Sequence, residues 1–241
     1  MKLAVITPNP TDLCEHRLSY HMVLAQEALR HPAYARWYYE ASKRGDFIIL
    51  DNGTAEGDAV TIDQLIEAAN LVRADEIAMP DVLEDSEATI ALHMDKHTRT
   101  LIPAKRRMII PQGKDEDEWL SCCETLIENC PAATIGVPKH TERFVGGRSK
   151  LIGSISHGRE HNIHALGCYG NPIDEVWALT VCTNNVRGID TGAPIAHAQH
   201  MEQLCYYTEH RSLGWDVHYN KYVAFLNIKD LWEVCCAHNY Q

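Results

Sequence analysis

Asp51 and Asp190 are the residues on which a displacement at a sugar carbon would turn. Two carboxylates facing one anomeric carbon can run a retaining exchange: one attacks the sugar, and the other handles the proton of the base that leaves and of the base that arrives. Asp51 opens the turn Asp51-Asn52-Gly53, and Asp190 closes Gly188-Ile189-Asp190. A purine pocket also needs hydrogen-bond partners for the Watson–Crick edge. A carboxylate at Asp81, after Pro80, an amide at Gln112 in Pro111-Gln112-Gly113 and exposed backbone at Gly136 can supply them, and that set suits guanine.

Each of these residues has an ordinary structural use as well. Asp51 can brace its own turn, Asp81 and Asp190 can cap the helices that follow, and Gln112 can satisfy loop backbone. Gly136 and Gly188 can serve backbone geometry alone. What favours chemistry is the recurrence of such turns, each directly after a run that reads as a buried strand, because parallel α/β folds collect their sites at strand carboxyl ends.

Those runs are Leu3 to Thr7, Phe47 to Leu50, Glu76 to Met79, Met108 to Ile110, Thr134 to Val137, His164 to Gly167 and Val186 to Ile189. They are short, apolar and stopped by Gly, Pro or Asp, as expected of strands buried on both faces. Amphipathic stretches alternate with them; Thr61-Ile62-Asp63-Gln64 and Asp115-Glu116-Asp117-Glu118 read as capping boxes, and Pro131 stops the second helix. The pattern predicts a TIM-type (β/α)8 barrel, one domain over residues 1–241, with polar residues at many strand ends rather than at one switch point. Leu151 to Ile155 or Tyr222 to Ile228 is expected to supply the eighth strand.

The formal net charge of −11 argues against non-specific coating of nucleic acid, while leaving room for a local basic face. Such a face is expected between Lys139 and His164, where Arg143, Arg148, Lys150 and Arg159 suit phosphate contacts; a solvated charged surface is the alternative. His157, His161 and His164 invite a metal, but a strand position for His164 would keep the three apart, and no metal or cofactor is expected. Nine scattered cysteines do not form a secreted disulfide pattern and point to a reducing cytoplasm, as core fillers rather than nucleophiles. No leader or membrane span is expected, and Tyr206-Tyr207 reads as helix packing.

In their order, these motifs resemble the tRNA-guanine transglycosylase family, and more closely its short phage relatives that insert 7-deazaguanines into DNA. The family's Asp-Ser-Gly-Gly turn is similar to Leu50-Asp51-Asn52-Gly53, which implies a catalytic Asp51 and places Asn52 in the base pocket. The later base-recognising Asp corresponds to Asp81. The Val-Gln-Gly-Gly turn looks like Pro111-Gln112-Gly113-Lys114, implying a base-binding Gln112, and the Gly of the next strand falls near Gly136. The Leu-Met-Gly-Val-Gly-x-Pro segment is similar to Ala165-Leu166-Gly167-Cys168-Tyr169-Gly170-Asn171-Pro172, which puts Leu166 against the base. The family's nucleophile stands four residues before a Pro, as Asp190 does before Pro194.

The resemblance covers residues 46–200 and has departures. Ala55 stands where the family has an aromatic residue that stacks on the base. Ile195, Ala196 and His197 follow Pro194 where the family has an Arg that contacts tRNA. Cys205, Cys235 and Cys236 lack the spacing of its zinc site. Together these imply a compact barrel without the zinc-binding subdomain, exchanging guanine in DNA for a 7-deazaguanine such as the 7-cyano compound through a covalent glycosyl-Asp190. The partners implied are DNA and a free 7-deazaguanine base, in the host cytoplasm if phage-encoded, with a homo-oligomer allowed. The same exchange on tRNA, a non-catalytic nucleic-acid-binding barrel subunit and a metal-dependent barrel hydrolase are the alternatives.

Overall fold

The computed structural model describes residues 1–156, 161–168, 170–182, 186–205 and 211–236. Eight strands, β1 (Lys2–Val5), β2 (Tyr20–Leu24), β3 (Phe47–Asp51), β4 (Glu76–Ala78), β5 (Arg107–Ile109), β6 (Thr134–Pro138), β7 (Asn162–Leu166) and β8 (Val186–Thr191), form one sheet. All paired neighbours are parallel, in the order β1-β8-β7-β6-β5-β4-β3-β2. β1 and β2 lie against each other, although among the described residues no ladder joins them. The result is a nearly closed (β/α)8 barrel of the TIM type.

Among the described residues ten α-helices surround it: α1 (Ala25–Arg30), α2 (Pro32–Lys43), α3 (Ile62–Val72), α4 (Ser86–Met94), α5 (Lys96–Leu101), α6 (Glu116–Asn129), α7 (Gly147–Ser156), α8 (Pro172–Cys182), α9 (Ala193–Gln199) and α10 (Lys221–Cys236). Outward strand residues such as Ile48, Leu50, Ile77, Ile135, Val137 and Ile189 are buried in the layer between strands and helices. Residues of opposite parity, including Ala4, Tyr20, Met22, Ile49 and Met108, fill the barrel interior. Burial on both faces is why the strands read as continuous apolar runs rather than as alternation.

The eighth strand is Tyr20–Leu24, not either expected segment. Leu151 to Ile155 lies in α7, where Leu151, Ile152 and Ile155 are buried at helical spacing. Tyr222 to Ile228 lies in α10, whose buried residues Ala224, Ile228, Leu231 and Cys235 recur every three or four positions. β2 escapes notice because Leu24 runs directly into α1 with no Gly, Pro or Asp to end it. Other strand bounds shift by one or two residues, as at Lys2–Val5 and Asn162–Leu166.

Thr61 and Gln64 form a full capping box on α3. At α6 only half of one forms: Asp115 accepts from Glu118 N at 2.9 Å, whereas Glu118 turns away to accept from Lys114 N and Ser86 Oγ. Between β7 and β8 the register slips, with Ile163 opposite Val186 but His164 opposite Gly188. Arg187 is therefore an extra residue, a β-bulge that lets its side chain enter the barrel interior. Among the described residues no helix is long and apolar enough to cross a membrane.

Candidate active site

A cleft of about 650 Å³ opens at the carboxyl ends of the strands, lined among others by Asp51, Asn52, Asp81, Gln112, Leu166 and Asp190. The chain thus brings together six of the seven residues expected to catalyse or to bind the base. Asp51 ends β3 and lines the cleft, and its Oδ2 accepts from Gly53 N at 2.9 Å, so its turn-bracing role is real. Gly53 has φ +79°, and a Cβ there would meet Asp58 O and Gln26 Oε1, both at 2.7 Å; only glycine fits that turn.

Asp81 is held from both sides. Asn52 Nδ2 donates to its Oδ1 at 2.7 Å, and Gln112 Nε2 donates to its Oδ2 at 2.5 Å. Asn52 also donates to Met79 O at 2.8 Å, and Gln112 Oε1 accepts from Glu84 N at 3.1 Å, so both amides are anchored to backbone. Burial raises the Asp81 carboxyl above its ordinary range, and the donors from Asn52 and Gln112 pull against that rise. Asp81 caps no helix, because Asp85 caps α4. Its carboxylate faces the cleft with spare lone pairs, a match for the adjacent N–H donors of a guanine edge.

Asp190 lies in β8 and is only 4% exposed. Its Oδ1 accepts from His164 Nε2 at 3.0 Å and from Gly167 N at 3.3 Å. Thr191, not Asp190, serves the following helix: its Oγ1 accepts from Ala193 N at 3.0 Å. The Asp190 carboxylate is thereby left to the cleft.

Sequence reasoning missed Glu56, which lines the cleft together with Asp51. Part of Glu56 reaches solvent, yet its carboxyl is crowded by protein and pushed above its usual range by burial and then by Asp190. Asp51 is raised well above its range by burial, then by Glu56, and further by Asp190 and Asp81. Asp51 and Glu56, a few residues apart on one tight loop, are thus both inclined to keep a proton. A glutamate before Gly57 was the available signal. Lys139 and His140 also line the cleft, and burial lowers the His140 imidazole.

Two expectations need correction. Gly136 does not line the cleft: it lies within β6, where a Cβ would meet Leu166 Cδ1 at 2.8 Å and Met108 Sδ at 3.0 Å. Its smallness makes room for Leu166, which does reach the cleft. Arg148 is not on a phosphate-contacting face. It is fully buried, ion-paired at 2.5 Å with Glu175 and hydrogen-bonded to Val137 O and Leu166 O, because α7 turns it inward under β6 and β7. Arg143 and Lys150 are exposed; Arg143 pairs with Glu84, and Lys150 stands 3.7 Å from Glu116. Arg159, His157 and Tyr206-Tyr207 lie outside the described residues. His164 points into the barrel, toward Tyr20 and Asp190.

Ala55 and Trp215 both line the cleft, and Trp215 is an aromatic side chain there. A solitary carboxylate backed by N–H donors, opposite a proton-holding carboxyl pair, can perform nucleophilic displacement with general acid and base assistance. Four clustered carboxylates also favour positive charge developing at a sugar carbon. Compared with known proteins, the chain matches no protein-family model and no curated protein.

Proposed function

We propose that this barrel is a base-exchanging transglycosylase, replacing guanine in DNA by a 7-deazaguanine through a glycosyl intermediate on Asp190. The observation that carries the reading is the opposition of Asp190, engaged among the described residues through Oδ1, to the Asp51 and Glu56 pair with its raised affinity for a proton. The Asp81 carboxylate, braced by Asn52 and Gln112, supports a guanine-reading pocket beside them.

The exchange balances with these groups alone. Asp190 Oδ2 forms a bond to C1′ as the C1′–N9 bond breaks; the electron pair leaves on guanine, which takes its proton from the Asp51 and Glu56 pair. The incoming base returns a proton to that pair, its ring nitrogen attacks C1′, and Asp190 is expelled. Two displacements retain configuration. The buried cleft requires the target nucleotide to leave the stack or to be single-stranded.

The test is incorporation of a labelled 7-deazaguanine into guanine-containing DNA and, in parallel, into tRNA. Incorporation into DNA supports the reading, and incorporation only into tRNA moves the same chemistry to the other nucleic acid. Clean binding with no exchange into either would sink it and leave a non-catalytic barrel.

A further inference from the structure

A chain of hydrogen bonds crosses the barrel interior and ends on Asp190. It starts at Glu76 in β4, which is ion-paired with Arg187. Arg187 also donates to Thr134 Oγ1 at 3.0 Å and lies over the Phe47 ring, 5.0 Å from its centroid. Its Nε reaches the Tyr20 hydroxyl at 3.0 Å; that hydroxyl is 2.8 Å from His164 Nδ1, and His164 Nε2 is 3.0 Å from Asp190 Oδ1. Tyr20 and His164 are buried.

The direction of every bond follows from the two charged ends. A guanidinium only donates, so the Tyr20 oxygen accepts from Arg187; a carboxylate only accepts, so an imidazole with one ring proton donates it to Asp190 from Nε2 and takes the single Tyr20 proton at Nδ1. With Nδ1 accepting, the imidazole proton sits on Nε2 and is donated to Asp190 Oδ1. Burial raises the Tyr20 hydroxyl far above its ordinary range, which keeps it a donor. Gly167 N donates to the same Oδ1, and among the described residues nothing donates to Oδ2.

We propose that His164, oriented by Tyr20 and Arg187, is a positioning residue for Asp190 that fixes Oδ2 as the attacking oxygen. The proposal rests on the glycosyl-exchange reading. A carboxylate clamped at one oxygen loses its freedom to rotate, and near-attack geometry for the other oxygen is built in before substrate arrives. The bulge at Arg187 is what lets a charged side chain reach the underside of Tyr20.

The experiment measures the rate at which the protein forms a covalent adduct with a guanine-containing single-stranded oligonucleotide, the free base omitted. His164→Phe should slow that step roughly 10- to 100-fold, the scale of a lost hydrogen bond to a charged group. His164→Gln, whose amide can donate to Oδ1, should recover part of it. Tyr20→Phe keeps the imidazole and the ring volume, and should lower kcat while leaving KM for the incoming base unchanged. A folded His164→Phe or Tyr20→Phe protein with the wild-type adduct rate overturns the proposal and leaves the exchange reading standing. Wild-type protein that forms no adduct with DNA or with tRNA removes the exchange reading itself. Independently of activity, nitrogen NMR of the wild-type protein should show His164 protonated at Nε2, and a proton on Nδ1 would overturn the chain.

Discussion

Gly188 and Tyr20 are fitted to each other across the barrel: a Cβ on Gly188 would stand 2.6 Å from Tyr20 Cε1 and 3.0 Å from Lys2 O. β8 leaves out a side chain where β2 inserts a ring, one residue after the bulge that admits Arg187. Gly188→Ala should therefore displace the Tyr20 ring and cost about 1 to 3 kcal/mol, the usual range for overpacking. Gly153→Ala, in α7 with open space around it, should instead be neutral or stabilising. Thermal melting of the two variants checks the contrast.

Asp190→Ala should abolish the adduct, because no other group proposed here attacks the anomeric carbon. Trapping on denaturing gels, with guanine omitted and then added back, reads this directly; an adduct in the variant ends the mechanism.

Asp51→Asn should slow exchange by roughly 10² to 10⁴, the usual worth of general acid and base catalysis. It should also stabilise the fold. The Asp51 carboxyl is raised well above its ordinary 3.8, so below that value it is neutral in both folded and unfolded chains. As pH rises past it, the unfolded chain releases the proton and the folded chain keeps it, so stability falls until the folded pKa is passed. Removing the group removes that loss, and Tm near neutral pH should rise by about 2 to 4 °C for each kcal/mol regained. A lower Tm in Asp51→Asn at neutral pH contradicts the account of burial.

Asp81→Ala or Gln112→Ala should weaken incoming-base binding, since an unpaired buried polar group costs about 1 to 3 kcal/mol. Gln112→Ala acts by freeing Asp81, so its effect should shrink in an Asp81→Ala background. Calorimetric titration with the free base measures both, and additive losses would separate the two residues.

Arg148 and Arg143 should part company. Arg148→Ala removes the buried Arg148–Glu175 ion pair and the donor to Val137 O and Leu166 O, and should destabilise by about 3 to 5 kcal/mol. Neutralising Arg143 and Lys150 together should leave Tm nearly unchanged and flatten the salt dependence of nucleic-acid affinity. An unchanged slope returns that surface to solvent.

The barrel was legible in the chain because a parallel strand buried on both faces writes itself as a short apolar run with a stop. Phe47–Asp51 and Thr134–Pro138 carry that signature, and Tyr20–Leu24 lacks the stop. Asp51, Asn52, Asp81, Gln112, Leu166 and Asp190 could be placed at strand ends because the rule that sites gather there is topological, not a matter of particular partners. What lies across the barrel axis is another matter. Tyr20 meets His164 over a sequence separation of 144, and Arg187 meets Glu76 over 111. Those meetings depend on how far each strand is staggered against the next, and on a single bulge in β8. The same holds for Arg148, whose basic neighbours suggest a surface while the rotation of α7 turns it inward. Local pattern decides which residues are strand and which are helix; closure of the sheet decides which side chains face each other, and with them the charge state and orientation of the carboxylates in the cleft.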